Sequence, residues 1–256
     1  MRGAISVPPA PIRAISLDFA NTLYPFRVSE TDQSLRSLHD FLQQRLNKPL
    51  DYVPFAALYH EIRTRQFRDN RATLRENDFT ARIREVVEFC RRGAGTDKAL
   101  VREAEEVYAD SFAAVMRPPV GLREHLAALA GRFLLVVLSN FPRTDCIVRP
   151  LERDGLLPFF HKVIASDDFG YIKPHPAVFQ AACDALSLPP EQIVYVGDDW
   201  DADILGAARA SLPSVYTHEW RDVPNAYYGQ GTAPPLFEIE KISDLLPRVQ
   251  QWNQKL

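Results

Sequence analysis

The sequence predicts an α/β protein with a Rossmann-like core, built on a parallel sheet, and an inserted bundle of four helices. Two observations lead to this fold class. From about residue 120 onwards, short apolar runs alternate with helix-like segments, which is typical of a parallel sheet with helices on both faces. One more strand-like run lies near the start of the chain, and a long stretch of purely helical periodicity, residues 28–116, separates it from the others.

The first strand is predicted from the apolar residues Ile12, Ala14, Ile15 and Leu17. Asp18 follows at its carboxyl end, and a turn comes directly after it. Open parallel sheets bind their ligands at the carboxyl ends of the strands. Asp18 therefore stands where a functional group is expected.

Four amphipathic helices are predicted in the insertion, because its apolar residues recur at helical spacing. We expect the second to begin near Phe55, after Pro54, and the third and fourth to follow capping residues. Four helices of this length make a small bundle. In chain order, the apolar faces consist of Leu35, Leu38, Leu42 and Leu46; Phe55, Leu58 and Ile62; Phe79, Ile83, Val86, Val87 and Cys90; and Leu100, Ala104, Val107 and Tyr108.

The later part of the chain predicts the rest of the core. Four more strands are expected at 133–138, 162–165, 193–196 and 214–216, and the helices between them include 177–186 and 204–210. The predicted domains are therefore a core of residues 12–24 and 118–256, an inserted helical domain of residues 25–117, and a flexible, proline-rich N-terminus of residues 1–11.

The composition is that of an ordinary globular protein of 256 residues, with 46% hydrophobic and 25% charged residues. A net charge of −3 gives no reason to expect nucleic acid or a membrane surface as a partner. No apolar run approaches the ~20 residues of a membrane span, and the first residues lack the apolar core of a signal peptide. Cys90, Cys146 and Cys183 are scattered without metal-binding spacing, so we expect free thiols in a reducing cytoplasm. The sequence indicates no oligomeric state.

Further polar groups lie at the ends of two later strands and at the start of one loop. Ser139 and Asn140 end the second strand, Lys173 opens a Lys-Pro-His-Pro loop, and Asp198 and Asp203 follow the fourth strand. Carboxylates gathered in this way suit a hard cation such as Mg²⁺, which takes few protein oxygens and binds substrate phosphate.

Together with Asp18, these stretches resemble the four motifs of the haloacid dehalogenase (HAD) superfamily of hydrolases. The resemblance implies a HAD-like core with a helical C1-type cap domain, and a phosphatase acting on a small phosphorylated metabolite. It implies that Asp18 is the nucleophile that forms an aspartyl-phosphate. It also implies a Mg²⁺ site made of Asp18, the backbone carbonyl of Ala20 and Asp198, with Asp203 bound through water.

The resemblance assigns roles to four further residues. Ser139 and Asn140 are expected to donate to phosphate oxygens, and Lys173 to offer a positive charge to phosphate and nucleophile. Thr22 matches a family threonine that supports the nucleophile's loop, and we count it with the phosphate-binding residues.

The sequence departs from the family pattern at Ala20, where phosphatases carry a second aspartate that acts as acid and base. Four explanations are open. Asp199, Asp201 or a cap residue replaces it; the substrate has a good leaving group; the reaction is that of the phosphonoacetaldehyde hydrolases, which need a cap lysine such as Lys48 or Lys98; or turnover is impaired and the protein binds a phosphorylated ligand or another protein.

Two groups of charged residues have simpler interpretations. Asp199 and Asp201 are expected to cap the following helix. The arginine-rich cap segment 60–92, with Arg63, Arg65, Arg68 and Arg71, has two interpretations: attraction of an anionic substrate or, as we favour, a solvated helix face. No specificity residue is evident in it. The acidic cluster also disfavours a metal-free dehalogenase, because carboxylates so close together repel each other without a cation.

Overall fold

The computed structural model describes residues 10–221, 225–231 and 233–256. Its centre is a six-stranded parallel sheet with the strand order β3-β2-β1-β4-β5-β6. The strands are β1 (Ala14–Leu17), β2 (Leu134–Ser139), β3 (Lys162–Ala165), β4 (Ile193–Gly197), β5 (Ser214–Thr217) and β6 (Phe237–Ile239). The α/β fold class and the five predicted strands are confirmed, whereas β6 was not predicted. The prediction of a flexible N-terminus falls mainly on residues outside the described part.

Four helices lie between β1 and β2 in the chain, as predicted. They are α1 (Val28–Arg45), α2 (Tyr52–Asn70), α3 (Phe79–Cys90) and α4 (Lys98–Val115). Asp78 and Asp97 cap α3 and α4 through their side chains. The predicted start of α2 was too late, because Asp51 caps the helix before Pro54. Proline is tolerated in a first turn, where its missing N–H has no partner within the helix.

The remaining helices are α5 (Leu122–Ala130), α6 (Asp145–Arg153), α7 (Pro176–Leu186), α8 (Gly206–Arg209) and α9 (Leu245–Asn253). The predicted helix 204–210 differs from the structure, since the chain first forms a π-helical turn, Trp200–Leu205. Asp199 begins this turn, and its carbonyl accepts from the N–H groups of Asp203 and Ile204. No helix in the described residues is long and apolar enough to cross a membrane.

The sheet brings its functional loops to one edge. β1 lies between β2 and β4, and Leu17 is in register with Val137 on one side and Val196 on the other. All three strands run in the same direction and are almost entirely buried. The residues that follow their carboxyl ends therefore converge.

Candidate active site

Three buried carboxylates meet at this edge of the sheet. Asp18 follows β1, Asp198 follows β4, and Asp203 lies in the π-helical turn. Their carboxylate oxygens lie within 4.8 Å of one another. The structure thus brings together the three acids that the sequence singled out.

The ammonium group of Lys173 lies at the centre of this cluster. Its Nζ donates to Asp18 Oδ1 at 2.8 Å, to Asp203 Oδ1 at 2.7 Å and to the Tyr195 hydroxyl at 2.6 Å. Burial alone would lower the pKa of Lys173, but Asp18 and Asp203 overcome this and hold the pKa above its usual value. Lys173 therefore stays charged, and Tyr195 is a site residue that sequence reasoning missed.

Gly197 allows Asp203 to approach β4 closely. A Cβ atom on Gly197 would lie 2.2 Å from Asp203 Oδ2, a distance at which no side chain fits. Asp203 Oδ2 instead accepts from the N–H of Asp199 at 2.9 Å. The glycine is required here by close contact rather than by a special backbone angle.

Arg221 is a second residue that sequence reasoning missed. Its Nε donates to the carbonyl and to Oδ2 of Asp198, both at 2.9 Å, and its Nη2 donates to Asp199 Oδ2 at 3.2 Å. Even so, burial and then the neighbouring carboxylates raise the pKa of Asp198 to about 8. Burial likewise raises the pKa of Asp203 to about 6, with Asp18 and Asp199 adding to the effect against Lys173.

These residues fit a divalent cation. Lys173 and Arg221 bring two positive charges to the three carboxylates, so one negative charge is left over among these residues. Among the described residues, Asp18 Oδ2 and Asp198 Oδ1 accept no hydrogen bond, so both oxygens are free to bind a ligand. Oxygen ligands and uncompensated negative charge are what Mg²⁺ requires.

The predicted phosphate-binding residues have different surroundings. Asn140 is bound to the Lys173 backbone: its Nδ2 donates to the carbonyl at 3.0 Å, and its Oδ1 accepts from the N–H at 2.6 Å. Ser139 ends β2 and is buried. The Thr22 hydroxyl is buried without a hydrogen-bond partner in the described residues.

The two extra acids lie at the start of the π-helical turn. Asp199 Oδ1 accepts from the N–H groups of Asp201 and Ala202, which is the expected capping role. Asp201 lies in the first turn, as expected, and its side chain pairs with Arg209 at 3.3 Å. Neither acid lines the cavity described next.

A cavity of about 190 Å³ lies between the helical bundle and the sheet edge. Ala20 and Asn140 contribute to its core side, and Arg82 and Glu76 to its cap side. The exposed lining is mainly apolar, and its aromatic residues are Phe26, Tyr59, Phe67, Phe79, Tyr108, Phe112 and Phe141. A ligand here would lie beside the nucleophile's loop in a largely apolar, partly open space.

Glu76 is the carboxylic acid that shares this cavity with Ala20. Its Oε1 accepts from the N–H of Asn77 at 2.6 Å, and its Oε2 forms a hydrogen bond with the Ser166 hydroxyl. Burial raises the pKa of Glu76, and the hydrogen bonds from Ser166 and Asn77 and the positive charge of Arg82 only partly offset this effect. Its spacing in the sequence gave no signal, since it lies in a loop before α3.

Backbone hydrogen bonds connect the Glu76 loop to the segment before Lys173. The N–H of Glu76 donates to Gly170 O at 3.0 Å, and the N–H of Ile172 donates to Leu74 O at 2.8 Å. The cap and the lysine loop are thereby joined next to the cavity.

Comparison with known proteins identifies the family. The model of the haloacid dehalogenase-like hydrolases matches residues 12–211, and the chain belongs to this family of hydrolases. It is 28% identical over 244 residues to the glyceraldehyde 3-phosphate phosphatase of Methanopyrus kandleri, covering 94% of this chain and 98% of that protein. It is 25% identical to the ribulose-1,5-bisphosphate 5-phosphatase of Halopiger xanaduensis, covering 79% and 83%.

The fold is similar to that of solved structures in the same superfamily. The 2-haloacid dehalogenase of Pseudomonas syringae pv. Tomato DC3000 has a TM-score of 0.75 at 23% identity, covering 94% of this chain and 99% of that one. At this identity the likeness concerns the fold alone. The predicted HAD-like core with cap helices is confirmed.

Proposed function

We propose that this hydrolase is a magnesium-dependent phosphatase of the cytoplasm that acts on a small phosphorylated metabolite through an aspartyl-phosphate intermediate. The observation that carries the proposal is the buried cluster of Asp18, Asp198 and Asp203 around Lys173, with a cavity that reaches Ala20 on the nucleophile's loop. The phosphatases among the relatives support it. The three buried free cysteines agree with a reducing compartment.

Asp18 is proposed to attack phosphorus through one carboxylate oxygen and to keep the other for Mg²⁺, with Lys173 held against Oδ1. The attack forms an Asp18–phosphate bond and breaks the bond between phosphorus and the leaving alcohol oxygen. A water molecule then hydrolyses the acyl phosphate and regenerates the carboxylate. Splitting the displacement into two steps is the general benefit of a carboxylate nucleophile.

The charges around Asp18 are suited to phosphoryl transfer, which depends on positioning and electrostatic stabilisation. Lys173 lies 2.8 Å from the nucleophile and can reach phosphoryl oxygens. Ser139 and Thr22 contribute hydroxyl donors. Mg²⁺, held by Asp18, Asp198 and the Ala20 carbonyl with Asp203 bound through water, would neutralise phosphoryl charge when bound.

The leaving alcohol needs a proton that Ala20 cannot give. We assign this role to Glu76, because it lines the cavity with Ala20, whereas Asp199 and Asp201 do not. Its raised pKa favours the protonated form that a general acid requires. The Ser166 hydroxyl is hydrogen-bonded to Glu76 and also accepts from the N–H of Phe141 at 2.8 Å. These two hydrogen bonds keep the carboxyl group of Glu76 in place.

A phosphonate hydrolase and a binding protein without turnover both receive less support than a phosphatase. A phosphonate hydrolase requires a lysine at the substrate, but neither Lys48 nor Lys98 lines the cavity, and Lys98 is exposed. A protein without turnover would have no need for the nucleophile, Lys173 and the carboxylates to be assembled around one point.

The proposal is tested by phosphate release from p-nitrophenyl phosphate, acetyl phosphate and a panel of alkyl phosphates, with Mg²⁺ and with EDTA. We expect metal-dependent turnover that Asp18→Asn abolishes. Equal release by Asp18→Asn and the parent would remove Asp18 as the nucleophile. No release from any phosphate, or chloride release from 2-chloropropionate instead, would overturn the proposed function.

A further inference from the structure

Arg82 is a buried cation in the wall of the cavity. It lies in α3, is 4% exposed, and lines the same space as Ala20 and Asn140. Its Nε donates to Gln66 Oε1 at 2.9 Å and its Nη1 to the Tyr59 hydroxyl at 3.3 Å. Both partners are neutral. Arginine is rarely buried to this extent without a paired acid, because taking a charge out of water is costly.

No carboxylate of the described residues lies within salt-bridge distance of Arg82, whereas Arg143, which lines the same cavity, is paired with Glu106 at 2.7 Å and Asp145 at 2.5 Å. Glu76 also lines the cavity and the charge of Arg82 acts to lower its pKa, but the two form no ion pair, and the proposed general acid is uncharged until it gives up its proton. The Nη2 group of Arg82 donates no hydrogen bond to the part of the chain that the structure describes. Arg63 lines the cavity too but is exposed, so Arg82 is the buried arginine of this lining that forms no ion pair with the described residues.

The surroundings of Arg82 hold it in one position. Its guanidinium carbon lies 5.5 Å from the centre of the Tyr59 ring and 5.8 Å from that of Phe79. The Tyr59 ring stacks on Tyr108 at 6.0 Å, and Phe79 packs on Tyr108 at 5.1 Å. Gln66, which binds Arg82, is itself bound to Asp78 O at 2.7 Å. A guanidinium fixed in this way is arranged before any ligand arrives.

The size of the cavity limits what lies between the two charged ends. Its volume of about 190 Å³ is below the roughly 300–1,000 Å³ of sites for drug-sized ligands. The lining is mainly apolar and includes seven aromatic residues, so a short carbon chain or one ring fits its chemistry better than a sugar with many hydroxyl groups.

We propose that Arg82 binds a second oxyanion of the substrate. This proposal rests on the phosphatase function proposed above and names its substrate class: small phosphate monoesters whose organic part is a short or aromatic carbon skeleton ending in a carboxylate or a second phosphate. The phosphate to be removed lies at Asp18, and the other anion lies at Arg82. Asn77 also lines the cavity and is buried, and its Oδ1 accepts from Asn70 Nδ2 at 3.1 Å.

Matched pairs of substrates test this assignment. The pairs are 4-carboxyphenyl phosphate with phenyl phosphate, 3-phosphoglycerate with glycerol 3-phosphate, and propane-1,3-diol bisphosphate with its monophosphate. We expect kcat/KM to favour the member with the second anionic group in at least one pair by about 10- to 100-fold, the range of a charge-assisted hydrogen bond. Preference in the first two pairs identifies a carboxylate, and preference in the third identifies a phosphate.

Variants on α3 show whether Arg82 carries the preference. Arg82→Met should remove it while leaving turnover of the neutral members within a few-fold of the parent, and Arg82→Lys should keep part of it. Arg84→Gln is the matched control, because Arg84 lies on the same helix and is exposed. Circular dichroism and thermal melting establish that each variant is folded.

The outcomes separate this inference from the proposed function. A parent that hydrolyses neutral and anionic members equally overturns the role of Arg82 but leaves the phosphatase intact. The role of Arg82 would also be overturned if Arg82→Met lowered kcat/KM equally for both members of a pair and Arg82→Lys did not restore it. If Arg82→Met does not fold, the substrate preference of the parent and of Arg82→Lys decides the matter. A parent without phosphatase activity would instead overturn the proposed function.

Discussion

Asn140 holds Lys173 by its backbone through two hydrogen bonds, one from its amide nitrogen at 3.0 Å and one to its amide oxygen at 2.6 Å. The two residues come from different loops, 33 positions apart in sequence. Since the Lys173 side chain bonds to Asp18 and Asp203, the end of β2 fixes the charge that faces the nucleophile. This places Asn140 as a positioning residue for Lys173.

We therefore expect Asn140→Ala to lower kcat more than it raises KM, because the lysine loses its fixed position. Unpaired buried groups cost about 1–3 kcal/mol, so the free energy of unfolding in urea should also fall by about this amount. Asn140→Asp keeps the acceptor but loses the donor, and should have an intermediate effect. A rise in KM alone, with kcat unchanged, would mean that Asn140 contacts substrate rather than positioning Lys173.

The acidic cluster predicts how stability depends on pH without metal. The pKa values of Asp198 and Asp203 are raised to about 8 and about 6, above the value of about 3.9 for an unfolded aspartate. The folded state then holds more protons than the unfolded state, so stability falls as pH rises from about 4 to about 8. Thermal melting in EDTA should show this decline.

Two controls accompany the melting series. Asp198→Asn should flatten the decline, because the amide cannot ionise. Mg²⁺ should raise the melting temperature more at pH 8 than at pH 5, since metal binding requires ionised carboxylates. A melting temperature that is equally insensitive to pH in the parent and in Asp198→Asn would contradict the prediction.

Glu76 predicts a dependence on the leaving group. Glu76→Gln should slow hydrolysis of alkyl phosphates by about 10²–10⁴-fold, the usual contribution of general acid–base catalysis. It should affect p-nitrophenyl phosphate far less, because that leaving group needs no proton. Steady-state kinetics on both substrates measure the difference, and the limb of the pH profile that belongs to the acid should disappear.

The matched control for Glu76 is Glu85→Gln, which removes a half-exposed acid paired with Arg65 at 2.5 Å on the cap surface. It should leave both substrates unaffected. An equal loss on alkyl and aryl phosphates in Glu76→Gln would indicate that Glu76 only joins the cap to Ser166.

Arg221 predicts an effect on metal affinity. Its guanidinium binds Asp198, where it balances charge that a cation would otherwise balance. Arg221→Gln should therefore lower the Mg²⁺ concentration needed for half-maximal activity by a few-fold or more, and should make the metal-free protein less stable. Magnesium titration of phosphatase activity checks this, with Arg209→Gln as the control because Arg209 pairs with Asp201 instead. A weaker affinity for Mg²⁺ would mean that Arg221 positions Asp198 for the metal.

The sequence predicted the sheet and the helices well, because buried strands and amphipathic helices impose their own periods. It also predicted which acids converge, since carboxyl ends of parallel strands lie on one edge. It did not predict Tyr195, whose hydroxyl meets Lys173 only after β4 is placed next to β1.

The cap residues were harder to predict, because their roles depend on contacts between distant segments. Glu76 lies in a loop, and its value as an acid comes from burial against Ser166. The position of Arg82 could have been recognised from the sequence. It lies three positions after Phe79 and four before Val86, on the apolar face of α3. A charged residue at such a position is a candidate for binding an oppositely charged ligand.

The hydrogen bonds between the Glu76 loop and residues 170–172 have a consequence for the timing of the reaction. Any movement of the helical bundle away from the sheet edge would have to break these hydrogen bonds, and it would disturb the segment that leads into Lys173. Access to the cavity and assembly of the charged centre are therefore coupled through the same few backbone contacts.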